Sequence, residues 1–123
     1  MKVLVDTSVW VAHFKQRNEP LVALLHGGWV VCHPHVVVEV ACGTPPQRHQ
    51  IITMLGELET SPVATAGELL ALLEQKAIFG RGCAFVDLSL LASALLGQQT
   101  LLWTLDKRLN AIAGEMGLAY RHT

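Results

Sequence analysis

Val3-Leu4-Val5-Asp6-Thr7-Ser8-Val9-Trp10 is the stretch on which the fold turns. Val3, Leu4 and Val5 form an unbroken apolar run, so Lys2–Val5 reads as a short strand buried on both faces. Asp6 ends the run with a charge. Ser8 then offers an N-cap to a helix that runs through Val9, Val11, Ala12 and Phe14. A buried strand followed at once by a helix is the alternation that builds a parallel sheet.

The alternation continues along the chain. Pro20 to His26 reads as a short helix stopped by Gly27-Gly28, and Trp29–Cys32 as a strand. Pro34 starts a helix that carries Glu39 and ends near Gly43. Pro45-Pro46 breaks the chain before a helix over residues 47–56, and residues 59–63 suit a short strand. Residues 66–78 are amphipathic, with Leu69, Leu70, Leu73 and Ala77 assigned to the inner face. Gly80-Arg81-Gly82 is a loop, and Asp87–Leu96 is an apolar, central helix. Leu101–Thr104 is a strand. Leu109, Ile112, Ala113 and Met116 share one face of a helix over residues 107–116, and Leu118–Tyr120 suits a last edge strand. The pattern predicts an α/β fold, an α/β/α sandwich with a central parallel sheet flanked by helices, over a single domain spanning residues 1–123. In such sheets ligands sit outside the carboxyl ends of the strands.

Composition narrows the function classes. With 51% apolar and 15% charged residues the chain is globular, not disordered. A net charge of -1 supplies no global attraction to nucleic acid or anionic membrane, although it does not exclude nucleic acid. No segment approaches the roughly 20 apolar residues of a membrane span. Asp6 interrupts the N-terminal run before a signal-peptide core forms, so a cytoplasmic location is expected. The three cysteines form no C-x-x-C pair and read as buried or free thiols. Cys32-His33-Pro34-His35 holds soft-metal ligands, but the second pair that a structural zinc site needs is missing.

The acids are the chemical signal. The chain has only three aspartates, Asp6, Asp87 and Asp106, and each sits in apolar sequence. Glu39 is embedded in Val36-Val37-Val38-Glu39-Val40-Ala41. Isolated carboxylates in apolar surroundings are costly unless a cation meets them. Each has a purely structural alternative: Asp106 and Asp87 as helix caps, Asp6 as an Asx-turn, Glu39 in a buried ion pair with Arg81 or Arg108. A shared site explains all four with one cause. Asp6 and Asp106 fall just past strand ends, and Asp87 opens a helix near the same edge. Hard carboxylate oxygens suit Mg²⁺ or Mn²⁺, which acidifies water and offsets charge on a phosphodiester.

At these residues the chain resembles the PIN-domain ribonucleases, in particular the VapC-type toxins of toxin–antitoxin systems. Val5-Asp6-Thr7-Ser8 is similar to the family's opening strand and D-T-S motif. Val38-Glu39-Val40 matches its helical glutamate. Val86-Asp87-Leu88 and the apolar helix behind it match its third acid, and Thr104-Leu105-Asp106 its T-x-D motif. The resemblance implies a PIN-like sandwich and a Mg²⁺- or Mn²⁺-dependent endoribonuclease. Asp6 and Asp87 would be direct metal ligands, with Glu39 and Asp106 completing the catalytic site. Thr104 would orient Asp106 or touch phosphate, and Thr7 or Ser8 would hydrogen-bond a ligand carboxylate. Among the few basic residues, Arg81 and Lys107 lie nearest the acids in sequence and are the candidates for binding substrate. The resemblance also implies RNA as substrate, an antitoxin as partner and a homodimer. Trp10, Phe14, Leu21 and Leu24 are available either as core or as an apolar groove for a partner segment.

Two other classes compete. An aspartate-dependent phosphatase would use Asp6 as nucleophile, but the D-x-D signature is broken by Ser8. A catalytically inert PIN-like protein-binding module would keep the fold and the groove without the chemistry. No GxxxxGK[ST] phosphate loop occurs, and the six histidines are scattered.

Overall fold

Four strands, β1 (Lys2–Val5), β2 (Val30–Cys32), β3 (Glu59–Thr60) and β4 (Thr100–Trp103), form a parallel sheet in the order β3-β2-β1-β4. The computed structural model describes residues 1–121. Seven helices flank the sheet among the described residues: α1 (Thr7–Lys15), α2 (Glu19–His26), α3 (Pro34–Cys42), α4 (Arg48–Glu57), α5 (Ala66–Gln75), α6 (Phe85–Leu96) and α7 (Lys107–Glu115).

β1 is a central strand, in register with Val30 and Val31 on one side and residues 100–103 on the other. Helices cover its two faces, so Val3, Leu4 and Val5 are all wholly buried. α6 packs against β4 and α5. Residues 88–94 of α6 are buried without interruption, the signature of a helix enclosed on all sides. The two hydroxyls this enclosure traps are satisfied: Ser93 bonds Ser61 across the core, and Ser89 Oγ donates to Phe85 O at 2.9 Å.

Several local expectations change. Ser8 does not cap α1. It lies in the first turn, and Asp6 holds the N-cap position. α2 starts at Glu19 because Asn18 Oδ1 accepts from Leu21 N at 3.1 Å. α6 begins two residues before Asp87, at Phe85. β3 keeps only two residues. α5 stops at Gln75, and Ala77 adopts φ 50°, which turns the chain. Ala77 therefore faces outward, and Leu70, within α5, is exposed as well, while Leu69, Leu72 and Ile78 fill the core. Leu118–Tyr120 contributes a single parallel bridge, Ala119 to Leu102, rather than a full strand. Trp10, Leu21 and Leu24 are core residues, not groove lining.

Candidate functional site

Asp6 stands at the carboxyl end of β1 with extended backbone, and its side chain makes no cap bond to α1. Its carboxylate is used otherwise. Oδ2 accepts from Ser8 Oγ at 2.7 Å and from Thr104 Oγ1 at 2.8 Å. Ser8 Oγ in turn accepts from Leu105 N, and Thr104 Oγ1 from Asp106 N, each at 3.0 Å. Each hydroxyl has one proton, committed to Asp6, and takes a backbone N–H on its lone pairs. The β1–α1 turn is thus stitched to the β4–α7 turn through one carboxylate oxygen. Asp6 is only 7% exposed, yet no Lys or Arg pairs with it among the described residues.

Glu39 is exposed on α3, as is Val38 beside it, so this face of the helix is wet despite its apolar sequence. The buried ion pair with Arg81 or Arg108 does not form, because Arg81 makes a two-pronged bridge to Glu115 at 2.8 and 2.6 Å. Instead Thr7 Oγ1 donates to Glu39 Oε1 at 2.6 Å. Asp87 is half-buried in the first turn of α6, and its Oδ2 accepts from Ala84 N at 3.2 Å. Burial raises its pKa above the usual carboxylate range. The Ala84 N–H opposes that, and the negative charges of Asp6, Asp106 and Glu39 add to it. Asp106 does cap its helix: Oδ1 accepts from Leu109 N at 3.0 Å.

A common pattern runs through the four acids. Each has one oxygen held by a hydrogen bond from the protein and the other without such a donor among the described residues. Their charges reach Asp87 together, so they occupy one electrostatic neighbourhood at the carboxyl edge of the sheet. No three His, Cys, Asp or Glu side chains among the described residues are gathered tightly enough to enclose an ion. Mg²⁺ keeps several waters and takes one or two carboxylates directly. The donor set is all hard oxygen, and it fits.

The soft-ligand alternative does not. Burial pushes the Cys32 thiol up to about 11, and its Sγ donates to His33 O. Cys83 lies nearer the acids, but burial, then the charges of Asp87 and Asp106, raise it to about 11 as well. Both thiols stay protonated near neutral pH and are poor ligands.

Of the basic candidates, Arg81 is committed to Glu115, while Lys107 is exposed at the start of α7 with no acidic partner among the described residues. Arg108 lies over the backbone of Gly82, where a Cβ would come within 2.8 Å of Nη1. Thr104 orients Asp6 as well as receiving the Asp106 N–H. His35, noted in the sequence only as a soft-metal ligand, stands four residues before Glu39 and so shares its face of α3. Its ring meets Phe85 with centroids 5.5 Å apart.

With this geometry in view, the comparisons with known proteins are direct. The PIN domain model matches residues 3–115. The chain is 42% identical over 117 residues to Ribonuclease VapC32 of Mycobacterium tuberculosis strain CDC 1551 / Oshkosh, covering 95% of this chain and 94% of that protein. The same figures hold for Ribonuclease VapC32 of strain ATCC 25618 / H37Rv. A parallel sheet in this order, acids at its carboxyl edge, and a match over nearly all the chain have one reading: the chain belongs to the PIN-domain family.

Proposed function

We propose that residues 1–123 act as one domain, a cytoplasmic endoribonuclease that hydrolyses RNA phosphodiesters with Mg²⁺ or Mn²⁺, as the toxin of a toxin–antitoxin pair. The observation that carries the reading is the set of four unpaired carboxylates, each half-anchored and half-free, in a relative of Ribonuclease VapC32.

Asp6 and Asp87 would hold the ion directly, with Glu39 and Asp106 completing the site directly or through water. When bound, a hard dication acidifies water and offsets charge on the phosphodiester. The chain's own contribution is positioning. Ser8 and Thr104 fix Asp6 Oδ2, so its other oxygen keeps a constant direction. Thr7 does the same for Glu39, Ala84 N–H for Asp87 and Leu109 N–H for Asp106. Preorganised oxygens need no rearrangement as charge develops at phosphorus. Lys107, with no acidic partner among the described residues, is the cation offered to the substrate backbone, and Arg81 becomes available only if Glu115 lets it go.

The antitoxin would use a groove of about 300 Å³ between α1 and the segment after α3, lined by Val11, Phe14, Lys15, Val40 and Pro45, with Glu39 at its edge. Exposed Leu70, Leu95 and Leu96 offer apolar area for a second copy of the chain. Among the described residues no helix is long and apolar enough to cross a membrane.

The deciding assay incubates the protein with single-stranded RNA and Mn²⁺, with and without EDTA, beside Asp6→Asn and Asp87→Asn. The expected result is EDTA-sensitive cleavage that falls at least about 100-fold in both variants, the scale of losing one aligned electrostatic group. Undiminished cleavage by both variants would overturn the assignment.

A further inference from the structure

A ladder of rings climbs from the core to the surface beside the acids. His33, wholly buried at the carboxyl end of β2, packs on His35 with centroids 4.8 Å apart. His35 packs on Phe85 at 5.5 Å with the planes tilted by 47°. Phe85 ends the ladder and is 63% exposed. Both contacts lie in the range where aromatic pairs attract. His35 Nδ1 and His33 Nε2 are buried with no hydrogen-bond partner among the described residues, so packing holds the His35 ring, while His33 is held by packing and by the His35 backbone N–H that its Nδ1 accepts at 3.0 Å. An exposed Phe is not unusual in itself. This one is supported from behind, and it joins the two helices that carry acids. It opens α6 two residues before Asp87, and it rests on the α3 face that presents Glu39 one turn further on. His35 and Glu39 are about 6 Å apart along the helix axis, within reach of a single nucleotide whose phosphate lies at the carboxylates.

We propose that Phe85, backed by His35, is the surface on which one unpaired nucleobase of the RNA stacks while the adjoining phosphodiester meets Asp6 and Asp87. The proposal rests on the endoribonuclease reading above. Single-stranded RNA is recognised largely by bases laid on aromatic rings. A phosphodiester drawn to this site carries a base on each side of it. Lys107 is one cation beside four acids, so a stacked base adds affinity next to the cut that charge alone supplies only weakly. Leu105, exposed beside Asp106, adds a second apolar side chain at the same edge. His35 is a positioning residue here and Phe85 the one that touches substrate.

The test uses the full chain and two measurements. The first is steady-state cleavage of a mixed-sequence single-stranded RNA by wild type, Phe85→Ala, Phe85→Leu and Phe85→Trp. Phe85→Ala and Phe85→Leu should raise KM about tenfold, as for one lost base–aromatic stack, with kcat little changed. Phe85→Trp should behave as wild type. The second is fluorescence of RNA carrying 2-aminopurine at successive positions, bound to Asp6→Asn protein. Quenching is expected at one position, lost with Phe85→Ala and weakened with His35→Ala. Cleavage by Phe85→Ala or Phe85→Leu at the wild-type KM would sink the stacking surface and leave the nuclease standing. Phe85-dependent quenching without cleavage by wild type would sink the nuclease and keep the surface as an RNA-binding one.

Discussion

Thr104 Oγ1 donates to Asp6 Oδ2 at 2.8 Å, joining residues 98 positions apart at adjacent strand ends. The bond exists because β1 and β4 pair in parallel with Val5 opposite Trp103, which puts the next residue of each strand side by side. Thr104→Val removes the proton that holds Asp6 and leaves the Asp106 N–H without its acceptor. Cleavage should fall at least tenfold, and stability should drop by about 1–3 kcal/mol, the cost of an unpaired buried polar group. Thr104→Ser should restore both, read by kcat/KM and by urea unfolding.

Asp87→Asn separates stability from activity. The folded-state pKa of Asp87 is raised, so the folded protein holds that proton more tightly than the unfolded chain. Wild-type stability therefore declines as pH rises from the ordinary carboxylate value of 3.8 through the folded value. Asn can still accept the Ala84 N–H but carries no charge. The variant should melt a few degrees higher at pH 7 and lose that part of the pH dependence, while cutting no RNA. A lower melting temperature would contradict the like-charge account.

His33 gives the opposite slope. Burial first, then the neighbouring His35, lowers its pKa from 6.5 to about 4. The unfolded chain takes up this proton at higher pH than the folded one, so stability falls as pH drops from about 6.5 towards 4 and levels off below. The loss should be on the order of 3 kcal/mol over that window. His33 Nδ1 also accepts from His35 N at 3.0 Å as the cap of α3, a role Asn can fill. Unfolding of His33→Asn at pH 7, 5.5 and 4 should show a flatter profile than wild type.

Lys107 and Arg81 should behave differently towards RNA. Lys107→Ala removes a free cation beside Asp106, so KM should rise and the slope of log affinity against log salt should fall by about 0.7, the single-strand value for one phosphate contact. Arg81→Ala breaks an exposed bridge to Glu115 and should change the slope little. Equal slopes in the two variants would show that Arg81 leaves Glu115 to bind the strand.

Much of this was readable in the chain. Apolar runs closed by Asp6 and Asp106 set strands and the turns after them, because burial period and charge placement are local properties. The departures have physical causes. Ser8 looked like a cap because capping is the commonest local use of a serine there, but Asp6 claimed its proton once Thr104, from the far end of the chain, fixed the same carboxylate oxygen. Glu39 looked buried because its neighbours in sequence are valines, yet a helix face is chosen by what packs against it. Ala77 looked inward until the turn there ended the helix that would have carried it, and Leu70 lies on the face of α5 opposite Leu69 and Leu72, the residues that met the core.

The amino-acid order alone determined the alternation of strands and helices, the parallel sheet and the identity of the four acids. Those follow from spacing along the chain. Tertiary structure alone decided that Thr104 shares with Ser8 the carboxylate of Asp6, that Arg81 belongs to Glu115, and that Phe85 stands on His35. Side chains far apart in sequence acquire partners only when strand register and helix packing bring them within a few ångströms, and no local pattern encodes that distance.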